Sequence, residues 1–169
     1  MMIPLVLVLT CMVSVLLTTE EQEVSVSSHD KVVICYWGTW ANYRPKQGKF
    51  VADNVDGNLC THLIYSFAGL DTTNWNIKTL DAWLDLEENY GLKGFKKATD
   101  LRLKYPHLKV MIAIGGWNEG SKKYSAMAKD PEKRKAFVDS VVNFLVQYNF
   151  DGLDLDWEYP GKEGEMRSV

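Results

Sequence analysis

Apolar positions along this chain gather into four runs, 32–37, 61–67, 109–114 and 152–157, each short enough to be a buried strand. Between them the period changes to that of a helix. Leu92, Phe95, Ala98 and Leu101 recur every three residues, basic residues are frequent between them, and Pro106 stops the pattern, so a helix is predicted over 92–105. A second helix starts at Asp130, a good N-cap followed by Pro131 and by Glu132, whose charge suits the first turn. Phe137, Val141, Phe144, Leu145 and Tyr148 form its apolar stripe as far as Asn149, which is core packing and implies no binding function. Apolar strands alternating with helices predict an α/β fold with a parallel sheet covered on its outer side by helices. Segments 69–90 and 117–129 read as loops with short helical pieces. They follow strands two and three on the side where parallel α/β folds bind ligands.

The 169 residues amount to one domain or part of one. A net charge of −3 with scattered Lys and Arg provides no footprint for nucleic acid; clusters such as Lys96-Lys97 and Lys133-Arg134-Lys135 read as solvated helix faces. Residues 3–17 are nearly all apolar, too short for a comfortable membrane span and placed like the centre of a secretory signal. The expected organisation is a signal peptide over 1–19, a linker over 20–30 and a folded region over 31–169. An uncleaved anchor is the rival reading of the leader, since no basic residue precedes it. Secretion, with no membrane association after cleavage, would leave Cys35 and Cys60. An even pair in an oxidising compartment suggests one disulfide, with two buried thiols as the alternative. His29, His62 and His107 have no metal-ligand spacing; His62, inside an apolar strand, is expected to be a hydrogen-bonded core residue.

The run from Phe150 to Pro160 carries the chemistry. Asp154, Asp156 and Glu158 are two residues apart, with Leu153, Leu155 and Trp157 between. In an extended strand one face would then hold only carboxylates and the other only large apolar groups. A solvated acidic strand is the bland alternative, but it would more usually mix signs. Gathered like charges are costly unless the site uses them, for instance by holding a proton on one beside a charge on the next. A calcium loop is the other rival: Glu165 falls at its twelfth position, yet Tyr159 stands where the sharp turn needs glycine, and Pro160 follows. No metal or cofactor is expected.

Four separated motifs carry a family resemblance: Cys35 to Trp40 (CYWGTW), Cys60 to Ala68 (CTHLIYSFA), Ala113 to Asn118 (AIGGWN), and Asp151 to Glu158 (DGLDLDWE). From about Lys31 to Gly161 the chain resembles the glycoside hydrolase family 18 chitinases, particularly the secreted animal enzymes. The last motif matches the family's Asp-x-x-Asp-x-Asp-x-Glu pattern at every acid. Ala113 stands where many members have serine.

The resemblance implies a (β/α)8 TIM barrel, of which the chain holds only the first four β/α units; a whole barrel takes roughly 250 residues. It implies hydrolysis of β-1,4 bonds in chitin or chito-oligosaccharides, by the substrate-assisted exception to ordinary glycosidase chemistry. Glu158 would protonate the leaving oxygen and later activate water. Asp156 would bind the acetamido N–H, and Asp154 would share a proton with Asp156. Asp151, out of phase with these, would be structural. Tyr36, Trp40, Phe67, Trp117 and Tyr159 would line the cleft, with Gly115, Gly116 and Asn118 allowing close approach and Glu88 and Asn89 at its edge. Cys35 and Cys60 would match a family disulfide. Further site groups, a tyrosine on the acetamido group and a tryptophan floor, would come from strands five to eight. With half a barrel, strands one and four would have unpaired edges and the isolated chain would be poorly stable or self-associate. The competing function is that of a chitinase-like lectin that binds oligosaccharides without cleaving them.

Overall fold

The computed structural model describes residues 31–161; the leader, the linker and Glu165 lie outside the described residues. Five strands form one sheet: β1 (Ile34–Gly38), β2 (His62–Leu70), β3 (Ile77–Thr79), β4 (Lys109–Gly115) and β5 (Gly152–Asp156). Four of them run parallel in the order β1-β2-β4-β5, with β3 antiparallel on the end of β2. Among the described residues four α-helices accompany them: α1 (Ala82–Asp85), α2 (Gly94–Lys104), α3 (Lys122–Lys129) and α4 (Pro131–Tyr148). This is the expected (β/α) barrel architecture, partly spanned.

Helix boundaries follow the local chemistry. The Asp130 side chain accepts from the backbone N–H of Glu132 (2.9 Å) and Lys133 (3.3 Å), satisfying two free donors of α4. At the other end Asn149 takes the left-handed conformation (φ 60°) that closes a helix. Segment 117–129 holds short helical pieces, as expected: a 3-10 turn over Trp117–Glu119 and α3 over its last eight residues. Segment 69–90 departs from the expectation by a strand: β2 runs on to Leu70, and a turn over 71–76 returns the chain as β3. Asp71 and Asn74 side chains accept backbone N–H groups two residues on, which builds that turn locally.

The core lies on the outer face of the sheet. Tyr65 and Phe95 meet edge to face at 5.1 Å, and Phe95 also touches Phe144, Tyr148 and Phe150. Such ring pairs contribute about 0.5–1.5 kcal/mol each beyond area burial. Asp151 has the expected structural role: its carboxylate accepts from Val110 N (2.7 Å) and pairs with Arg102 (2.9 Å), tying the starts of β4 and β5 to α2. His62 is only half-buried, at the strand's start, with Nδ1 2.8 Å from Thr61 Oγ1. No described helix is long and apolar enough to cross a membrane.

Cys35 and Cys60 form a disulfide, Cα to Cα 5.9 Å across a separation of 25 residues. It links β1 to the entry of β2 across a connection built only of 3-10 turns. Closing a loop of that size stabilises a fold by roughly 3 kcal/mol. Reduction should therefore lower the denaturant midpoint at fixed protein concentration by a corresponding amount, and an unmoved midpoint would contradict the structural role of the bridge. Among the described residues the outer edges of β1 and β5 have no strand partner, and Ile34, Tyr36 and Leu155 there are exposed. Unpaired edges recruit other strands, so the apparent mass of the 169-residue chain should rise with concentration in sedimentation velocity; a monomer throughout would sink that expectation.

Candidate active site

The inner face of the sheet is arranged in rows. Gly38, Ser66, Ala113 and Asp154 are register partners across β1, β2, β4 and β5. Three small residues thus flank the first acid. Tyr36 belongs to the row before, with Ile64, Met111 and Gly152. Its hydroxyl nevertheless donates to Asp154 Oδ2 at 2.8 Å, from one edge strand to the other. In a flat sheet about 14 Å would separate those strands, three spacings of about 4.8 Å. The bond is possible because the sheet curls, as a barrel wall does. Asp154 thus accepts the Tyr36 hydroxyl, a partner that the sequence reading did not name. The Tyr36 hydroxyl is pushed up to about 12, by burial first and then by the bond and the charges of Asp154 and Asp156, so it stays a donor at neutral pH.

Asp156 ends β5. Its carbonyl accepts from Gly116 N at 2.8 Å, and its register partner is Gly115. A Cβ at Gly115 would stand 2.1 Å from the Asp156 carbonyl oxygen, and φ is +116° there, so only glycine lets β4 turn across the end of β5. This turn also corrects the sequence expectation that the strand reaches Trp157: β4 has already ended, and no ladder partner remains. Glu158 therefore sits beyond the strand rather than within it. Its segment is fixed by Ser121, whose hydroxyl accepts from Trp157 Nε1 (2.7 Å) and donates to the Tyr159 carbonyl (3.2 Å). Burial, then the charges of Glu158 and Asp154, raise the Asp156 carboxyl above the ordinary carboxylate range. On the opposite face Leu153 and Trp157 pack on the core, while Leu155 is exposed.

Beside the acids lies a cavity of about 630 Å³, with Trp40, Phe67, Gly115, Gly116, Trp117 and Asn118 in its wall. The acids are not in that wall; Gly115, next to Asp156, is where the two meet. A register shift at Phe67 releases that ring from the ladder, and it stacks with Trp40 at 6.2 Å and 5°. A Cβ at Gly116 would meet the Phe67 ring at 2.9 Å, so the second glycine makes room for the platform. Trp117 is 70% exposed, an unusual state for tryptophan without a partner to cover it. Tyr159, the residue after Glu158, is exposed.

Several residues of the cavity escaped the sequence reading. Tyr43, Leu80, Asp81, Asp85 and Glu119 all line it. Glu119 accepts from Leu70 N (2.9 Å) and Tyr124 Oη (3.1 Å) and pairs with Lys123 (2.5 Å), anchoring the Trp117–Glu119 turn to β2 and α3. Asp85, 2% exposed, accepts from Tyr65 Oη (2.5 Å) and from the Thr79 hydroxyl. Burial pushes its carboxyl up despite those bonds. A sequence signal existed: Asp81 and Asp85 are one helical turn apart beside apolar residues. Glu88 and Asn89 do not join the cleft. They lie in a 3-10 turn, and Glu88 faces a separate depression with Lys93, Lys96 and Gln147. The loop that carries them is closed by the N–H groups of Leu92 and Lys93, which bond the carbonyls of Trp83 and Leu86. Among the described residues no three His, Cys, Asp or Glu side chains converge so as to hold a metal ion.

This geometry has known counterparts. The family model described as glycosyl hydrolases family 18 matches residues 32–168. "Probable chitinase 2" of Drosophila melanogaster is 58% identical over 132 residues, which are 78% of this chain and 27% of that protein. The crystal structure of Ostrinia furnacalis Group IV chitinase in complex with allosamidin superposes with a TM-score of 0.72 at 49% identity, covering 78% of this chain and 34% of that one. Human YKL-39, described as a pseudo-chitinase with retained chitooligosaccharide binding properties, superposes at 0.65 with 36% identity, covering 76% of this chain and 33% of that one. The chain spans about a quarter to a third of the length of these relatives. It belongs to glycosyl hydrolase family 18.

Proposed function

We propose that this chain carries the acid-bearing part of a site that hydrolyses β-1,4-linked N-acetylglucosamine polymers, by substrate-assisted retaining catalysis. The carrying observation is the sequence of acids at the end of β5. Asp154 is held by Tyr36, burial and the charges of Glu158 and Asp154 raise the Asp156 carboxyl, and Glu158 follows on a segment clamped by Ser121. Glu158 donates a proton to the leaving glycosidic oxygen. The substrate's acetamido carbonyl attacks the anomeric carbon, and Asp156 orients the acetamido N–H and offsets the positive charge that develops. Glu158, now a carboxylate, takes a proton from the incoming water. The aromatic rings of Trp40, Phe67 and Trp117 offer flat apolar faces for sugar C–H groups. The chitinase relatives and the allosamidin complex support this reading. Secretion is part of it: the apolar leader and the Cys35–Cys60 bridge fit an oxidising compartment.

A second reading, oligosaccharide binding without turnover, is favoured by the pseudo-chitinase likeness and by a cleft whose aromatic wall is separate from the acids. Hydrolysis of a fluorogenic chitotriose by this chain and by Glu158→Gln distinguishes them. Turnover that drops roughly 100-fold or more in the variant assigns proton transfer to Glu158. Binding by both without turnover by either favours the second reading.

The raised Asp156 carboxyl yields a pH expectation. A carboxyl that holds its proton more tightly when folded contributes stability below its unfolded pKa, and that contribution is lost as pH rises through the folded value. Asp156→Asn removes the loss. The variant's stability relative to the unsubstituted chain should be greater near neutral pH than in acid, as read from denaturant midpoints. A difference independent of pH would contradict the assignment.

A further inference from the structure

A second cavity, of about 560 Å³, lies apart from the acids, between α3 and the start of α4. Lys122, Ser125 and Lys129 line it from α3, and Asp130 and Lys133 close it from the turn into α4. Residues three and four apart share one face of a helix. Ser125 therefore has one lysine a turn before it and another a turn after it, and all three line the cavity.

The charges here do not cancel. Asp130 Oδ1 accepts from the backbone N–H of Glu132 and Lys133, and Oδ2 stands 3.7 Å from Lys133 Nζ. Lys133 also lies over the Trp75 ring, 4.3 Å from its centroid. Nearby cations are engaged as well: Lys123 by Glu119, Arg134 by the Ala128 carbonyl and Lys135 by Asp139. Lys122 and Lys129 are exposed, and among the described residues neither has a carboxylate partner. The floor between them is polar. Ser125 is 5% exposed; its N–H donates to the Ser121 carbonyl, but its hydroxyl has no hydrogen-bond partner among the described residues. A buried hydroxyl left in that state is costly.

A ligand that answers both features is negatively charged and accepts hydrogen bonds. Two ammoniums and a hydroxyl offer donors from three directions, which suits the oxygens of a tetrahedral anion. A planar carboxylate is matched better by the fork of an arginine, and no arginine lines the cavity. The volume is many times that of a water molecule, so there is room for a group that carries the anion.

We propose that Lys122, Ser125 and Lys129 form a binding site for a phosphate or sulfate group, as the free ion or as the ester of a small molecule. The site is independent of the acids and of the aromatic wall, and of the function proposed for them.

The test is calorimetric titration of the 169-residue chain with sodium phosphate, sodium sulfate and glucose 6-phosphate, at an ionic strength held constant with sodium chloride. At least one should bind with one-to-one stoichiometry. Tighter binding of the ester than of the free ions supports the site with an ester as its ligand, and the reverse supports it with the free ion. Lys122→Ala and Lys129→Ala should each weaken binding roughly tenfold, whereas Lys97→Ala, at an exposed position of α2, should not. Ser125→Ala removes an unpaired hydroxyl, so the thermal midpoint without anion should not fall, while the anion binds several-fold more weakly. The site is overturned if none of the three anions binds, if any of the three cavity substitutions leaves the affinity unchanged, or if Lys97→Ala causes an equal loss.

Discussion

The curl of the four parallel strands is the constraint on which the rest of the site depends. Tyr36 and Asp154 sit on opposite edge strands, yet they share a hydrogen bond of 2.8 Å. Only a sheet bent into a barrel wall brings them together. The row of Gly38, Ser66 and Ala113 beside Asp154 is the packing counterpart of that bend. Larger inward side chains at those positions would fill the concave side that Tyr36 crosses. The small row therefore serves shape and chemistry at once: it permits the curl, and it leaves room around a carboxylate.

The second constraint is the Gly115–Gly116 turn. One glycine lets the end of β4 press on the Asp156 carbonyl, and the next lets the Phe67 ring lie over the turn. Asp156 and the aromatic wall are thus positioned by adjacent residues of one turn. Glu119, three residues on from Gly116, anchors the same turn to β2 and α3 through its carboxylate. Three like charges in sequence are costly to gather. Here the cost is met locally: Asp154 receives the Tyr36 hydroxyl, and the Asp156 carboxyl is raised by burial and by the charges of Glu158 and Asp154.

How much of this was legible in the sequence depends on the range of the interaction. The four parallel strands, the capped helix from Pro131 and the face shared by Asp154 and Asp156 follow from periods and caps, which are local. The end of β5 at Asp156 was not legible, because it is set by where β4 stops and by the Gly116 N–H on the Asp156 carbonyl. Ser121 was missed for the same reason, since a serine at a helix start carries no mark of a tryptophan 36 residues away. Glu88 and Asn89 were placed at the cleft by resemblance to a loop; backbone bonds from Leu92 and Lys93 close that loop, and neither residue lines the cavity. Tyr43 lies one helical turn after Trp40 and could have been read as its neighbour, but the Asp81 carboxylate that accepts its hydroxyl comes from a distant segment.

The acids and the platforms are carried by different parts of the sheet. Asp154 and Asp156 belong to β5 and are served by β1 through Tyr36, whereas Phe67, Trp117 and Glu119 belong to the ends of β2 and β4. The two sets meet at Gly115 and Gly116 against Asp156, and at Ser121 against Trp157 and Tyr159. A change in the acids can therefore leave the aromatic wall in place, because among the described residues no hydrogen bond or ring contact runs from Glu158 to Trp40, Phe67 or Trp117. That separation gives a physical reason why one fold can be found in both hydrolases and a pseudo-chitinase that still binds oligosaccharides. It also places the link between the wall and the acids at two contacts after β4, the Gly116 N–H on the Asp156 carbonyl and the Ser121 hydroxyl between Trp157 Nε1 and the Tyr159 carbonyl. The aromatic wall and the acids take their relative position from those bonds.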